Sequence, residues 1–376
     1  MAADTRPLVS VVIPSYNHER FVEQAIRSVL DQSYPNLEIL ITDDGSSDGT
    51  VEAVRRISDP RINLEVFSEN RGASAAANAS IARSRGAFIC NLSSDDAFLP
   101  GKIERQVAYL LENPSIAAVF GLPKMVDERG DPQRVDGEYY RNQFMFPLTQ
   151  DLRTRHDWLR HFFFHGNCLC HPTVMLRRAA YDKIGPFDPR LANLPDFDMW
   201  VRLCMEHDIH VMREELVAMR ILDQGGNMSS PRRESILRTE IECFEVLKHY
   251  RHLPREAVFA IFARDIPQIP QASESPQAMI LAELALMTHR PAHKLFALDT
   301  LFQQRSDSVT ANRQLQKFTG SVDLFGWDAF QQVRNLQMQI NLSGAEADRL
   351  RRELEAAKAE IASLKQAKAS TPRSDT

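Results

Sequence analysis

Short apolar runs alternate with amphipathic stretches through the first third of this chain, and that alternation narrows the fold more than any other feature. Residues 8–13, 37–42, 62–67, 87–92 and 116–120 have the length and β-branched content of strands buried on both faces of a sheet. Between the first two runs, Phe21, Ala25, Ile26, Val29 and Leu30 share one helical face. After the fourth, Pro100 stands at a helix start followed by the stripe Ile103, Val107, Leu110 and Leu111. Residues 51–57 and the alanine-rich 72–83 complete the series. Strand-helix alternation of this kind predicts an α/β, doubly wound and mostly parallel sheet.

Two of the runs end in paired aspartates, Asp43-Asp44 before Gly45-Ser46-Ser47-Asp48-Gly49-Thr50 and Asp95-Asp96 after Ser93-Ser94. In open α/β sheets the ligand crevice lies beyond the carboxyl ends of the strands, where both pairs fall. Adjacent carboxylates repel and resist desolvation unless a cation or hydrogen-bond donors compensate them. A hard divalent ion together with a nucleotide would do both. The first strand runs into Pro14-Ser15-Tyr16-Asn17-His18, with neither a Gly-x-Gly-x-x-Gly fingerprint nor a phosphate-binding P-loop. Diphosphate charge would then have to be met by a metal.

Composition sets outer limits. A chain of 376 residues exceeds one average domain, and its hydrophobic (43%) and charged (25%) fractions are those of a soluble globular protein. A formal charge of -5 argues against a nucleic-acid partner. No apolar stretch approaches the ~20 residues of a membrane span, and no secretory signal is visible in the first residues. The five cysteines lack framework spacing and fit a reducing compartment. The expectation is a cytoplasmic protein, at most peripheral to the inner face of a membrane.

The segments Val9-Ser-Val-Val-Ile-Pro-Ser-Tyr-Asn17, Ser28-Val-Leu-Asp-Gln-Ser-Tyr-Pro35, Asp43-Asp-Gly-Ser-Ser-Asp-Gly-Thr50, Asn70-Arg-Gly72 and Ser94-Asp-Asp96 occur in the order in which inverting family 2 glycosyltransferases of GT-A fold carry their motifs. The chain resembles that family from Val9 to about Ser229. The resemblance implies a nucleotide-sugar donor, UDP-linked, with Pro14, Ser15 and Tyr16 lining the base and Asp44 bonding the uracil or ribose. Asp43 shapes the turn. Asp95 would face the ribose or sugar, and Asp96 would ligate Mn²⁺ or Mg²⁺, ions suited to hard oxygen ligands.

Further along, Pro195-Asp196-Phe-Asp198-Met-Trp200 is similar to the acidic segment that opens a helix in this family, which implies Asp196 as the catalytic base. A helix N-terminus favours the carboxylate anion, the form a base requires. Asp198 reads as support for Arg202, one turn on. Pro195 replaces the usual Glu, Ala77-Asn78 stands where Arg-Asn is common, and Asp223 falls near a metal-binding His, which makes Asp223 a second metal-ligand candidate. His171 and Trp200 are the candidates for the acceptor pocket. His165, Cys168, Cys170 and His171 crowd into seven residues, but Cys-x-Cys without a distant second pair is not a usual zinc site.

These features imply metal-dependent transfer of a single sugar to a hydroxyl of a cell-surface glycan, a lipid-linked precursor or a protein. The alternative is a non-catalytic nucleotide-sugar-binding scaffold acting through a coiled coil. A nucleotidyltransferase would normally carry the glycine-rich phosphate loop that is missing. The expected domains are a GT-A domain over 1–230, a helical attachment over 231–330, a coiled-coil helix over 331–368 and a disordered tail over 369–376. Within the third, Leu336, Ile340, Ser343, Ala347, Leu350, Leu354, Ala357, Ile361 and Leu364 form a weak heptad seam suited to self-association, a homo-oligomer through 336–364.

Overall fold

A computed structural model describes residues 6–132, 154–222, 233–269, 271–288 and 290–303. Asp223, the 331–368 segment with its heptad seam, and the tail 369–376 lie outside the described residues. The chain divides into two compact units, the first ending at Thr288.

In chain order the first unit runs β1 (Val9–Ser15), α1 (Val22–Leu30), β2 (Leu37–Asp43), α2 (Thr50–Arg55), β3 (Ile62–Val66), α3 (Ala73–Arg83), β4 (Phe88–Asn91), β5 (Ala97–Phe98) and α4 (Lys102–Glu112). It continues through β6 (Ile116–Val126), α5 (Arg155–His165), β7 (Met175–Arg177), α6 (Arg178–Ile184), α7 (Pro195–Glu206), β8 (Asp208–Arg220), α8 (Arg233–Leu247), α9 (Arg255–Ile261) and α10 (Gln277–Leu286). Helix α11 (Pro291–Phe302) is the described part of the second unit.

The strands form one eight-stranded sheet in the order β3-β2-β1-β4-β7-β6-β8-β5. Its first half is parallel throughout, with Val9 opposite Leu37 and Phe88, and Ile39 opposite Ile62. Its second half is mixed. β7 runs antiparallel to β4 and β6, β8 runs parallel to β6, and β5 runs antiparallel to β8. The mostly parallel sheet expected from sequence is borne out: four of the seven pairings are parallel, and the three antiparallel ones all involve the short strands β5 and β7. β7 has three residues and β5 two, too few to show a period.

The core follows from strand alternation. Val9, Val11 and Ile13 of β1, Ile39 and Ile41 of β2, and Phe88 and Cys90 of β4 face one side, where Val22, Ala25, Ile26 and Val29 of α1 and Ile103, Val107 and Leu110 of α4 cover them. On the other face α3 buries small residues, Ser74, Ala76, Ala77 and Ser80. That lets the helix approach closely enough for Ser80 Oγ to meet Thr42 Oγ1 of β2 at 2.7 Å.

One connection matters most for function. β4 occupies the fourth place in the sheet and β5 the eighth, yet only residues 92–96 join them. Four strand spacings span ~19 Å in a flat sheet. The six Cα steps from Asn91 to Ala97 reach about 20 Å only when fully extended, and a turn shortens them, with Asp96 N–H donating to Ser93 C=O at 3.0 Å. The sheet must curl, and the curl brings the Asp95-Asp96 loop against the end of β8.

Helices α8 to α10 belong to the first unit, which differs from the expected boundary at 230/231. Polar contacts bind them in: Tyr250 Oη donates to Leu159 C=O at 2.7 Å, and Arg160 grips Asp265 with two bonds of 2.7 and 2.6 Å.

Candidate active site

Both aspartate pairs lie at the carboxyl edge of the sheet, but their surroundings differ. Asp43 is 0% exposed and closes its own turn: Ser46 N–H donates to one carboxylate oxygen at 2.8 Å and Ser46 Oγ–H to the other at 2.7 Å. Gly45 makes that turn feasible. Its φ is +75°, and a Cβ there would lie 2.8 Å from the Glu69 carbonyl carbon. Asp44, 3% exposed, reaches across to the start of α3 and accepts from Arg71 N–H at 2.7 Å and Gly72 N–H at 2.9 Å. It therefore caps α3, satisfying donors that a helix start leaves open. Each carboxylate oxygen keeps a further lone pair for a nucleoside.

Beside Asp44 lies the end of β1. Asp44 N–H donates to Ser15 C=O at 2.8 Å, Ser15 Oγ is buried without a hydrogen-bond partner, and Tyr16 beyond it is 43% exposed. Pro14 is half-buried. Thus Pro14, Ser15, Tyr16 and Asp44 share one end of the sheet. Asn91 at the end of β4 was not singled out from sequence; both its side-chain amide atoms are buried and lack partners. Native proteins leave few buried polar atoms unsatisfied, and orphans at strand ends fit a surface awaiting a polar ligand.

Asp95 and Asp96 are also buried, at 9% and 5% exposure. Asp96 Oδ1 accepts Arg220 N–H at 2.8 Å, and Arg220 Nε donates to Asp95 C=O at 2.8 Å. The same guanidinium reaches Asp127 C=O, Glu128 C=O and Gln24 Oε1, and it stacks over the Phe21 ring at 4.8 Å. Arg220 thus fixes the loop through carbonyl and amide oxygens, and its charge offsets only part of the cost of burying Asp96 beside Asp95. Burial, reinforced by the charge of Asp95, pushes the Asp96 carboxyl well above its ordinary range. His18 lies at the same loop, Nδ1 2.7 Å from Ser94 Oγ. Sequence reasoning passed over both His18 and Arg220.

The donor set suits a small hard cation. Mn²⁺ and Mg²⁺ take carboxylate oxygens, and Mg²⁺ is held by one or two carboxylates plus substrate phosphates rather than by a full protein cage. Among the described residues no group of three or more His, Cys, Asp or Glu side chains is gathered for a metal. Asp95 and Asp96 offer that minimal two-carboxylate arrangement, and burial together with the charge of Asp95 keeps the Asp96 pKa raised although Arg220 and the Ser93 hydroxyl pull it down.

Asp196 occupies the second position of α7, after Pro195 at its start. Its Oδ2 accepts from Asn167 Nδ2 at 2.9 Å and its Oδ1 from Phe197 N–H at 2.7 Å. The helix start was expected to hold Asp196 firmly as the anion. Burial outweighs it and pushes the pKa up to about 6. The result is a carboxyl poised near neutrality, better suited to taking a proton than an ordinary aspartate. Asn167 was missed because the Cys and His residues around it drew attention; Cys168 and Cys170 are core residues at 4% and 3% exposure. The Cys170 thiol is nonetheless informative. Its Sγ lies 3.8 Å from Met219 Sδ, next to the Arg220 N–H that binds Asp96, while Asn167 three residues earlier binds Asp196, so one short segment borders both carboxylates; burial, with the charges of Asp96 and Asp196 adding to it, raises the thiol pKa.

Asp198 is structural, as expected: Arg202 Nε bonds one oxygen at 2.8 Å and His249 Nε2 the other at 2.6 Å. Although burial opposes ionisation, those two partners hold its pKa below the ordinary value. His171 is partly exposed, with its Nε2 buried and unpartnered, and burial pushes its pKa down to about 4, so the ring is neutral. Trp200 departs from expectation. It is 0% exposed and packs edge-on against Phe120 at 4.8 Å and His171 at 5.9 Å. A residue with no accessible ring surface cannot wall an acceptor pocket in this conformation; Trp200 backs His171.

This architecture is the GT-A fold of nucleotide-sugar transferases. Two solved structures share it: S. aureus TarS 1–349 in complex with UDP-GlcNAc (TM-score 0.52, 19% identity, 78% of this chain and 80% of that one), and the mannosyltransferase PcManGT from Pyrobaculum calidifontis in complex with GDP-Man and Mn²⁺ (TM-score 0.50, 17% identity, 84% and 81%). The profile of glycosyl transferase family 2 matches residues 10–185 of the chain. Among curated relatives, an uncharacterized glycosyltransferase of Rickettsia prowazekii is 31% identical over 223 residues, 57% of this chain and 64% of that protein. The UDP-Glc:alpha-D-GlcNAc-diphosphoundecaprenol beta-1,3-glucosyltransferase WfgD of Escherichia coli is 28% identical over 223 residues, 59% and 80%. The chain spans 64% and 65% of the length of two rickettsial relatives and 35% of two others.

Proposed function

We propose that the protein transfers a single sugar, with inversion, from a nucleotide-sugar donor to a hydroxyl of a cell-surface glycan, a lipid-linked precursor or a protein. The observation that carries this reading is a GT-A sheet on which the Asp95-Asp96 loop is held by Arg220 while Asp196, in the first turn of α7, is held by Asn167 on the segment that meets Met219 through Cys170. The relative WfgD, by its name, uses UDP-Glc and a diphosphoundecaprenol-linked acceptor, which favours a UDP-linked donor and a lipid-linked acceptor here.

In this scheme the acceptor hydroxyl gives its proton to Asp196 as its oxygen attacks the anomeric carbon. The bond from that carbon to the diphosphate oxygen breaks, and its electron pair leaves with the nucleoside diphosphate. A single displacement from the opposite face inverts the anomeric centre. Asn167 holds one oxygen of Asp196 and leaves its second lone pair for the proton. Pro14, Ser15, Tyr16 and Asp44 receive the nucleoside, Asp95 faces the sugar or ribose, and His171 lines the acceptor side. Mn²⁺ or Mg²⁺ held by Asp96 would supply Lewis-acid neutralisation of the departing diphosphate.

Among the described residues no helix is long and apolar enough to cross a membrane. For a lipid-linked acceptor, a cytoplasmic enzyme working at the inner membrane face is the consistent placement. The test is release of nucleoside diphosphate from UDP-Glc, UDP-GlcNAc and GDP-Man, with and without Mn²⁺, on undecaprenyl-diphosphate-linked sugar acceptors. Turnover that needs Mn²⁺ or Mg²⁺ and disappears in Asp196→Asn is expected. Undiminished turnover in Asp96→Ala and Asp196→Asn would overturn the assignment.

A further inference from the structure

Helix α8 opens the region expected as a helical attachment, and its side chains grip the loop that leads into the helix carrying Asp196. Glu242, 4% exposed, accepts three successive backbone N–H groups: Ala192 at 2.9 Å, and Asn193 and Leu194 at 2.8 Å each. Successive N–H groups pointing one way form an anion-binding concavity, and charge-assisted bonds to a carboxylate are about twice as strong as neutral ones. The anion is supplied by a residue 48 positions downstream of Leu194. Around it, Asn193 Nδ2 donates to Ser235 C=O and Thr239 Oγ1, both at 3.0 Å, and Arg238 Nε steadies Glu242 at 2.7 Å. Two residues beyond Asp196, His249 closes on Asp198 at 2.6 Å.

A buried carboxylate costs desolvation energy that an apolar side chain would not. Nothing in the packing of α8 calls for one: Cys243, Val246 and Leu247 on the same side of the helix are apolar and buried. What Glu242 does is hold residues 192–194 immediately before the helix whose second residue is Asp196. Leu194 C=O in turn accepts the Asp198 N–H at 3.1 Å, so the first turn of α7 continues from the clamped backbone.

We infer that Glu242, assisted by Asn193 and His249, is a positioning residue for glycosyl transfer, clamping the 192–194 backbone so that the Asp196 carboxyl stays against Asn167. The inference rests on the assignment of Asp196 as base. It adds that the catalytic apparatus extends through α8, past the segment that carries the family motifs.

The test compares Glu242→Gln, Asn193→Ala and Asp196→Asn with the parent, using nucleoside diphosphate release from the most active of UDP-Glc, UDP-GlcNAc and GDP-Man, alongside hydrogen-deuterium exchange of 191–198. Glu242→Gln should lower kcat roughly ten- to a hundred-fold, the cost of a misplaced catalytic group, with the donor KM within about two-fold. Its acid limb should move below about 6 as water reaches Asp196, and exchange should rise at 191–198 ahead of the rest of the sheet. If Glu242→Gln does not fold, Asn193→Ala, which buries no new charge, should show the same signs at smaller size. An inactive Asp196→Asn beside a Glu242→Gln, or its substitute Asn193→Ala, with parental kcat and acid limb overturns the clamp and keeps the base. An active Asp196→Asn overturns the base and with it the clamp's catalytic role.

Discussion

Asp43-Asp44 closes β2, Asp95-Asp96 lies in the loop from β4 to β5, and the protein treats the two pairs in opposite ways. The first pair is supplied with donors by the chain itself, Ser46 for one member and the Arg71 and Gly72 amides for the other. The second pair also has donors, Arg220 and Ser93 for Asp96, yet burial and the charge of Asp95 still raise the Asp96 pKa. In the proposed function the two pairs divide the work: the first would receive the nucleoside, and the second would take a cation and a diphosphate.

The largest expected effect falls on the transfer chemistry. Asp196→Asn removes the proton acceptor and should reduce kcat by roughly a hundred- to ten-thousand-fold, the usual contribution of a general base, and Asp96→Asn should lose metal-dependent turnover to a comparable degree. Melting temperature separates the pairs. Because the folded state raises the Asp96 pKa, its ionised form is a liability at neutral pH: the protonated form's stability is present at low pH and is lost as pH rises through the folded pKa. Asp96→Asn mimics the neutral form and should melt at or above the parent temperature while inactive. Asp44→Ala should melt lower, by ~1–3 kcal/mol in denaturant titration, because two helix-start amides lose their acceptor. A stabilised Asp44→Ala or a strongly destabilised Asp96→Asn would break the contrast.

A smaller effect concerns pH. With Asp196 titrating at about 6, kcat/KM should fall ten-fold per unit below that value and level off above it. A profile flat down to pH 4.5 would remove Asp196 as the base. The smallest effect expected is from Trp200→Phe, which keeps the edge contact behind His171 and should change acceptor KM by no more than about three-fold, since such aromatic pairs contribute ~0.5–1.5 kcal/mol.

What the sequence revealed, and what it concealed, follows from the range of the contacts. Strands β1 to β4, helices α1 and α4, and both aspartate pairs were legible because apolar periodicity and turn chemistry are local signals. Asp196 was accessible through its motif. Its raised pKa was not, because burial by residues distant in sequence overrides the helix start. Asn167 lies 29 residues from Asp196, Glu242 lies 48 from Leu194, and Arg220 lies 124 from Asp96; no local pattern joins them. Glu242 did leave a trace, a carboxylate one turn before Val246 on the apolar side of its helix. The short strands β5 and β7, which carry every antiparallel pairing of the mostly parallel sheet, left none.

The division of labour between the two pairs can be tested most directly by calorimetric titration of UDP with and without Mn²⁺ into the parent, Asp44→Asn and Asp96→Asn proteins. Mn²⁺ should tighten UDP binding to the parent and, from a weaker starting affinity, to Asp44→Asn, but leave Asp96→Asn unchanged. Equal Mn²⁺ enhancement in Asp96→Asn and the parent, or its loss in Asp44→Asn alone, would contradict the account.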